Sequence, residues 1–299
     1  MALNSILTNT KITRTLFSYL SFSDRLSVTA TSKSWRSVFV PLLWAELTED
    51  HYSLVQFERL VSKYGQHIES FYVLDPDNET QSRAIRNIDA IINSISKLPN
   101  LKRLDIDNVE MPAQKLEKLI SELKTEKLVA LTVDIEEPTT RKTVETALDR
   151  YGSQLVLLSI DKITDDIAAA LNDRWNKLVA LETLRLAFFL NESQNAFAKL
   201  SAADLPNLRM LSVREDTNDE QLRSLVRELR MTYPTFISPE GLSIILEAHL
   251  PHLHELHLVG PGVDLASIWQ SSWPQPLALR DVMLSVAHVS AEILTSVLA

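Results

Sequence analysis

Three stretches of the sequence decide the fold: LPNLKRLDI at residues 98–106, LPNLRMLSV at 205–213 and LPHLHELHL at 250–258. Each contains an apolar residue, two others, a second apolar residue, one other and a third apolar residue. The last two apolar positions alternate as in a strand that buries one of its faces. Recurrence of such a pattern indicates a repeat architecture.

The same apolar pattern occurs in eight units between residues 68 and 284. The units are Ile68-Phe71-Val73, Leu101-Leu104-Ile106, Leu128-Leu131-Val133, Leu155-Leu158-Ile160, Leu181-Leu184-Leu186, Leu208-Leu211-Val213, Leu253-Leu256-Leu258 and Leu279-Val282-Leu284. Their first residues are 33, 27, 27, 26, 27, 45 and 26 positions apart. This regularity favours a repeat array over an ordinary α/β domain, and we expect the long interval to hold an extra helix around residues 239–250.

Segments with helical spacing lie between the predicted strands. Apolar residues recur at three- and four-residue steps over residues 88–95, 116–123, 167–178 and 222–229. Thr139-Thr140 and Thr164 are placed to start two of the helices. The chain resembles the leucine-rich-repeat family from about residue 68 to residue 299, and the resemblance implies a parallel sheet on the concave side with helices outside.

The composition disfavours several classes of function. With 299 residues, no cysteine and five glycines, the chain can form neither disulfides nor Cys-based metal sites. The net charge of −9 leaves residues beyond 47 strongly acidic, which disfavours nucleic-acid binding. No apolar run approaches the roughly 20 residues of a spanning helix, and no signal-peptide pattern starts the chain. We therefore expect a cytoplasmic or nuclear protein without a membrane partner.

The strands of such an array carry polar residues that point into the concave face. Asp107, Asp134 and Asp161 follow the last apolar residue of three consecutive units, at intervals of 27 residues. Stacked like charges are unfavourable, so we hypothesise that they select a basic segment of a bound protein, with Arg185 and Arg214 on the other side. The alternative is a solvated face whose aspartates cap the following turns.

Four histidines raise the question of a metal site: His249, His252, His254 and His257. They span a helix end and a strand, alternate residues of a strand face opposite ways, and no acidic or Cys companion has a standard ligand spacing. We expect no metal and no cofactor. Because P-loop, Gly-x-Ser-x-Gly and His-Glu-x-x-His motifs are missing, we also expect no catalysis, a hidden site in the concave face being the alternative.

The first 47 residues predict a small helical bundle. Ile12, Leu16 and Leu20 share one helical face, and Ser23 is placed to cap a second helix. A third apolar stripe consists of Trp35, Val38, Phe39 and Leu42. Phe17 and Tyr19 lie off the first stripe, so we expect both to be partly exposed and available for docking.

These residues resemble the F-box motif: LFSYL at 16–20, Asp24, Leu26, SKSWRS at 32–37 and PLLW at 41–44. The resemblance implies a non-catalytic, substrate-recognition subunit of an SCF-type ubiquitin ligase. Its F-box would dock on a Skp-type adaptor, and through it on a cullin, while the repeats bind the target protein. The residues expected to contact the adaptor are Ile12, Leu16, Phe17, Leu20, Leu26, Trp35, Leu43 and Trp44.

We therefore expect an α/β chain with a helical F-box domain at residues 1–47, a linker or capping helix at 48–67, and a leucine-rich-repeat solenoid of about eight repeats at 68–299. One departure from the F-box motif supports a second hypothesis. Members usually carry Leu-Pro and an acidic residue at the start, where this chain has Thr8, Asn9 and Lys11. The alternative is a leucine-rich-repeat scaffold with a degenerate F-box and no ligase role.

Overall fold

The computed structural model describes residues 10–48, 54–74, 88–109, 111–135, 139–189, 199, 204–216, 253–264 and 280–288. The chain divides into two compact units, one of residues 1–105 with 123–127 and one of residues 106–122 with 128–299. Within the described part of the chain, no helix combines the length and the apolarity required to cross a membrane.

The first unit opens with three helices. Helix α1 spans Thr10–Ser18, α2 spans Phe22–Thr31 and α3 spans Lys33–Leu43. The Ser21 side chain accepts a hydrogen bond from the Asp24 amide, and the Ser32 side chain accepts one from the Trp35 amide. Serine caps therefore start both α2 and α3. The prediction that Ser23 caps the second helix was wrong, because that helix begins at Phe22, two residues earlier than a Ser23 cap requires.

The strands follow one another through a parallel sheet of nine strands in chain order, from β1 to β9. They are β1 Glu46–Thr48, β2 Ser70–Leu74, β3 Arg103–Val109, β4 Ala130–Ile135, β5 Leu157–Ile163, β6 Thr183–Phe189, β7 Met210–Asp216, β8 Glu255–Asp264 and β9 Asp281–His288. Each of the eight predicted strand segments overlaps one of the strands β2 to β9. Strand β1 was not predicted.

Helices alternate with the strands as the period predicts. They are α4 Leu54–Tyr64, α5 Ile88–Ile95, α6 Ala113–Glu122, α7 Arg141–Tyr151 and α8 Asp165–Asn172. Short 3-10 turns follow three of them, at Gly65–His67, Gly152–Gln154 and Trp175–Lys177. Thr140 caps α7 by accepting a bond from the Thr143 amide, whereas Thr164 occupies the cap position of α8 without such a bond. The helices predicted at 222–229 and around 239–250 lie outside the described residues.

One backbone interaction recurs at the entries of β2, β3 and β5 to β9 and shows that these repeats are equivalent. A carbonyl just before one strand accepts two amide N–H groups at the start of the next, as Val156 does from Glu182 and Thr183. The same bond is made by the carbonyls of Ala45, Glu69, Val129, Glu182, Arg209 and His254. The 45-residue interval between the sixth and seventh repeats therefore leaves this backbone hydrogen-bonding pattern between neighbouring strands unchanged.

The core lies between strands and helices. In the second unit, Leu131, Val133, Leu158 and Ile160 are nearly inaccessible, as are Leu148 of α7 and others around them. Burial of each such side chain contributes about 1.5–3 kcal/mol to the free energy of folding. We call the opposite side of the sheet, formed by the strand residues that alternate with these buried ones, the open face.

Candidate protein-docking surface

The three-helix bundle has a core of its own. Phe17, Phe39, Leu43 and Trp44 are all at most 9 % exposed. The rings of Phe17 and Phe39 stack with their centroids 5.2 Å apart, and Trp44 stacks on Tyr64 of α4 at 4.6 Å. Aromatic pairs at this spacing add about 0.5–1.5 kcal/mol to the gain from burial. The bundle and α4 thus share one core, which continues past the predicted boundary at residue 47.

Arg25 fixes the joint between α1 and α2. Its Nε donates to the Leu20 carbonyl at 2.9 Å and its Nη2 to the Ser18 carbonyl at 3.3 Å, and the guanidinium lies 5.0 Å from the Phe17 ring centroid. Carbonyls at the end of a helix lack intrahelical donors and carry partial negative charge. A cation at this point therefore satisfies and stabilises the end of α1.

Aliphatic side chains of α1 and α2 are exposed on the surface of the bundle. Ile12 and Leu16 of α1 are 45 % and 52 % exposed, and Leu26 of α2 is 42 % exposed. Ile12 and Leu16 stand four residues apart, so they lie on one helical face. Tyr19, at 84 %, is the most exposed of the large hydrophobic side chains described. Exposed aliphatic and aromatic side chains on a fixed scaffold are typical of a surface that binds another protein.

An open groove of about 640 Å³ begins beside Leu26. It runs between α2 and α3, past Ala30 and Pro41, to Lys63 and Tyr64 of α4. Its walls are mainly apolar, with Arg36 and Lys63 as the cations. The groove gives the exposed residues of the bundle a neighbouring depression into which a partner's side chain can fit.

The other residues predicted to contact an adaptor are placed differently. Phe17, Leu43 and Trp44 are buried at 4 %, 8 % and 9 % exposure, while Leu20 and Trp35 are half-buried and pack against the core. The expectation that Phe17 is partly exposed was wrong, because its ring is held between Phe39 and Arg25. In the described structure Phe17, Leu43 and Trp44 belong to the core of the bundle.

On the open face, Asp134 has a cation from its own chain. Lys162 Nζ lies 3.4 Å from Asp134 Oδ1, with the two side chains only 14 % and 20 % exposed. Lys162 reaches this position with a φ of 57°, in the left-handed region. Regular pairing of β4 with β5 ends at Val133 and Ile160, one residue before Asp134 and Asp161 respectively. The repulsion expected for a carboxylate ladder is therefore relieved internally at Asp134.

The strand register places the two predicted basic residues, Arg185 and Arg214, on the adjacent strands β6 and β7. Ala187 pairs with Arg214 and Arg185 with Ser212 in the β6–β7 register. Arg185 is exposed, and its Nη2 lies 3.6 Å from the Met210 sulfur. The side chains of Asp107 and Arg214 lie outside the described residues. Binding of a target protein by Asp107, Asp134, Asp161, Arg185 and Arg214 stays a prediction.

A network of ion pairs joins the helical side of the second unit. Arg174 Nε donates to Asp149 Oδ1 at 2.8 Å, its Nη1 donates to Glu145 at 3.1 Å, and Lys177 also donates to Asp149. The hydrogen bonds from Arg174 and then Lys177 lower the pKa of Asp149 from 3.8 to about 2. Lys199 likewise lowers the pKa of Asp173. The network joins consecutive repeats to one another. These charged residues therefore have a structural role.

The molecule thus combines a three-helix bundle with a parallel, repeat-like sheet of nine strands. Residues 10–50 match the family model described as F-box-like. The chain therefore carries an F-box-like domain, in which α1 to α3 and β1 lie. No family match confirms the leucine-rich repeats, and comparison with curated proteins gives no match.

Sequence reasoning missed one group of potentially functional residues. Glu255, His257 and Asp281 bring one imidazole and two carboxylates together, their ligand atoms all lying within 4.8 Å of one another. The signal was the two-residue spacing of Glu255 and His257, which places both on one face of a strand. Asp281 could not be added without knowing which strands pair.

Proposed function

We propose that this protein is the substrate-recognition subunit of an SCF-type ubiquitin ligase. The F-box-like domain docks on a Skp-type adaptor, and through it on a cullin, while the open face of the sheet binds the target protein. The observation that carries the proposal is the exposed apolar surface of Ile12, Leu16 and Leu26 within the residues that match the F-box-like family.

The proposed subunit works by proximity and performs no bond chemistry. Holding a target beside a ubiquitin-charged enzyme raises the effective concentration of the target's lysines. The role requires two separate binding surfaces, and the docking surface of the bundle and the open face of the sheet are two such candidates. The corresponding location is the cytoplasm or nucleus.

The physical state of the exposed side chains supports adaptor docking. Aliphatic groups held in water by a rigid helix gain free energy when a partner covers them, about 25 cal/mol for each Å² removed from water. The buried aromatic core beneath them keeps α1 and α2 fixed before binding, which lowers the entropic cost of association.

Co-expression of the full chain with a Skp-type adaptor tests this proposal. We expect a stoichiometric complex that survives size-exclusion chromatography, and its loss on Leu16→Asp. Val179→Asp, at an exposed apolar position of the second unit, is the matched control and should retain the complex. Failure of the unmodified chain to bind the adaptor would favour the alternative, a repeat scaffold with a degenerate F-box.

A further inference from the structure

We propose that Glu255, His257 and Asp281 form a binding site for a divalent transition-metal ion of the Zn²⁺ type. The three residues lie on the paired strands β8 and β9 of the second compact unit. The proposal is independent of the adaptor-binding role and departs from the expectation that the histidine-rich stretch binds no metal.

The strand register brings the three side chains together. Glu255 pairs directly with Asp281, and His257 follows Glu255 by two residues, so all three belong to the same face of the sheet. His257 Nε2 lies 3.5 Å from Asp281 Oδ2. With bonds of about 2.1 Å, two ligand atoms of a tetrahedral zinc ion stand roughly 3.4 Å apart. The observed separation is therefore already that of two ligands sharing one ion.

The electrostatics of the group also indicate a cation. Glu255 and Asp281 are like charges on directly opposed residues, which destabilises a strand pair. Within the described residues, the ion pairs of these two carboxylates are confined to the one between His257 and Asp281. The His257 side chain is 25 % exposed and that of Asp281 is 63 % exposed, but the Nε2 atom of His257 is itself buried and, in the described structure, has no hydrogen-bond partner, although a buried polar atom normally has one. A metal ion would supply that partner and neutralise both carboxylates.

The donor set selects the kind of metal. One imidazole and two carboxylates suit Zn²⁺, Co²⁺ or Ni²⁺, whereas Mg²⁺ and Ca²⁺ prefer oxygen ligands alone. Three protein ligands leave a tetrahedral ion one open position, which water can fill. The neighbouring strand β7 places Met210 beside Glu255 and Ser212 beside His257. Because its ligands come from β8 and β9, a bound ion would join these two strands at the open face.

Titration of the untagged full chain with ZnCl₂, followed by calorimetry, tests the site. We expect one ion per chain and much weaker binding of Mg²⁺. Loss of an outer-shell partner alone lowers metal affinity about 10–100-fold. Glu255→Gln, His257→Asn and Asp281→Asn each remove a direct ligand, so each should lower Zn²⁺ affinity by at least that much. Circular dichroism of each variant without metal establishes that it is folded.

The matched control is His254→Gln, which removes a histidine that lies immediately before β8 and outside the group and should leave the affinity unchanged. Co²⁺ provides a second readout, because its visible absorption distinguishes tetrahedral from octahedral coordination. Absence of Zn²⁺ binding by the unmodified chain would overturn the proposal and leave His257 as an ion-pair partner of Asp281. Binding that all three variants retain would also overturn it, by locating the ion elsewhere.

Discussion

Two arginines stabilise this fold by donating hydrogen bonds to backbone carbonyls and to carboxylates. Arg25 does so for the end of α1, and Arg174 for Asp149 and Glu145. Arg25 lies at the joint between α1 and α2, and Arg174 lies between the end of α8 and the following 3-10 turn. Their charges are therefore expected to matter for stability more than those of ordinary surface arginines.

Arg25→Met should loosen the bundle while retaining much of the side chain's apolar volume. The variant loses two hydrogen bonds from a charged donor and the contact with the Phe17 ring. Such bonds contribute about 1.5–3 kcal/mol each when buried and less at this half-exposed position. We expect a loss of about 1–2 kcal/mol in denaturant unfolding. Arg14→Met, at an exposed position of α1, is the control, and equal losses would refute the role of Arg25.

Asp149→Asn should change the dependence of stability on pH. The pKa of Asp149 is lowered to about 2 in the folded chain, so its contribution is present above the unfolded pKa of about 4. That contribution is lost as the pH falls through the folded value.

Because Asp149 is 46 % exposed, solvent screening limits the effect to about 0.5–1 kcal/mol at neutral pH. The difference between Asp149→Asn and the parent should vanish near pH 2 in thermal unfolding. Glu182→Gln serves as the control for loss of a carboxylate outside the network. A stability difference that is the same at pH 7 and pH 2 would contradict this assignment.

At the scale of elements, the repeats are joined by the same bonds at equivalent positions. Asn100 Nδ2 donates to the Gln66 carbonyl at 2.7 Å, and Asn207 Nδ2 donates to the Val179 carbonyl at 2.8 Å. Both asparagines occupy the third position of a Leu-Pro-Asn-Leu stretch. Each therefore ties its own unit to the turn of the preceding one.

Asn207→Asp preserves the size of the side chain but replaces the donor by an acceptor. A carboxylate facing the Val179 carbonyl loses the hydrogen bond and gains repulsion, and we expect a stability loss of about 1–2 kcal/mol in chemical denaturation. Increased amide exchange at the 3-10 turn Trp175–Lys177 should accompany it. Asn172→Asp, in a different part of the unit, is the comparison variant. Unchanged stability and exchange in Asn207→Asp would show that this bond does not join the repeats.

Sequence periodicity was sufficient for eight strands but not for β1. The register pairs Glu46 with Ser70 and Leu47 with Phe71, which places Trp44 in the position of Ile68. The third apolar position of this unit would fall at Glu49, so the pattern is incomplete. Trp44 therefore ends the F-box motif and also begins the first strand unit.

The candidate sites were predictable only where local spacing decides them. The i to i+4 step of Ile12 and Leu16 was enough to place both on one face of α1. Burial of Phe17 depends on Phe39, twenty-two residues later in the sequence, and no periodicity shows that contact. The Lys162–Asp134 pair depends on the left-handed backbone at Lys162, which its residue type does not favour.

At the scale of the whole molecule, two kinds of surface occur on one chain. The F-box-like domain exposes aliphatic side chains, whereas the open face presents charged residues such as Arg185 between small ones. Apolar contacts supply most of the affinity of an interface, and charges contribute chiefly to specificity and association rate. This division agrees with the proposal that the F-box-like domain docks on an adaptor and that the open face selects the target.

The affinity of the full chain for a Skp-type adaptor, compared between Leu16→Asp and Val179→Asp, tests the central claim most directly. Residues at the centre of an interface contribute about 2 kcal/mol or more, which corresponds to about a 30-fold change in Kd. We expect a weakening of at least this size for Leu16→Asp and none for Val179→Asp in a calorimetric titration. Equal affinity of Leu16→Asp and the unmodified chain, or no measurable binding by either, would contradict the account.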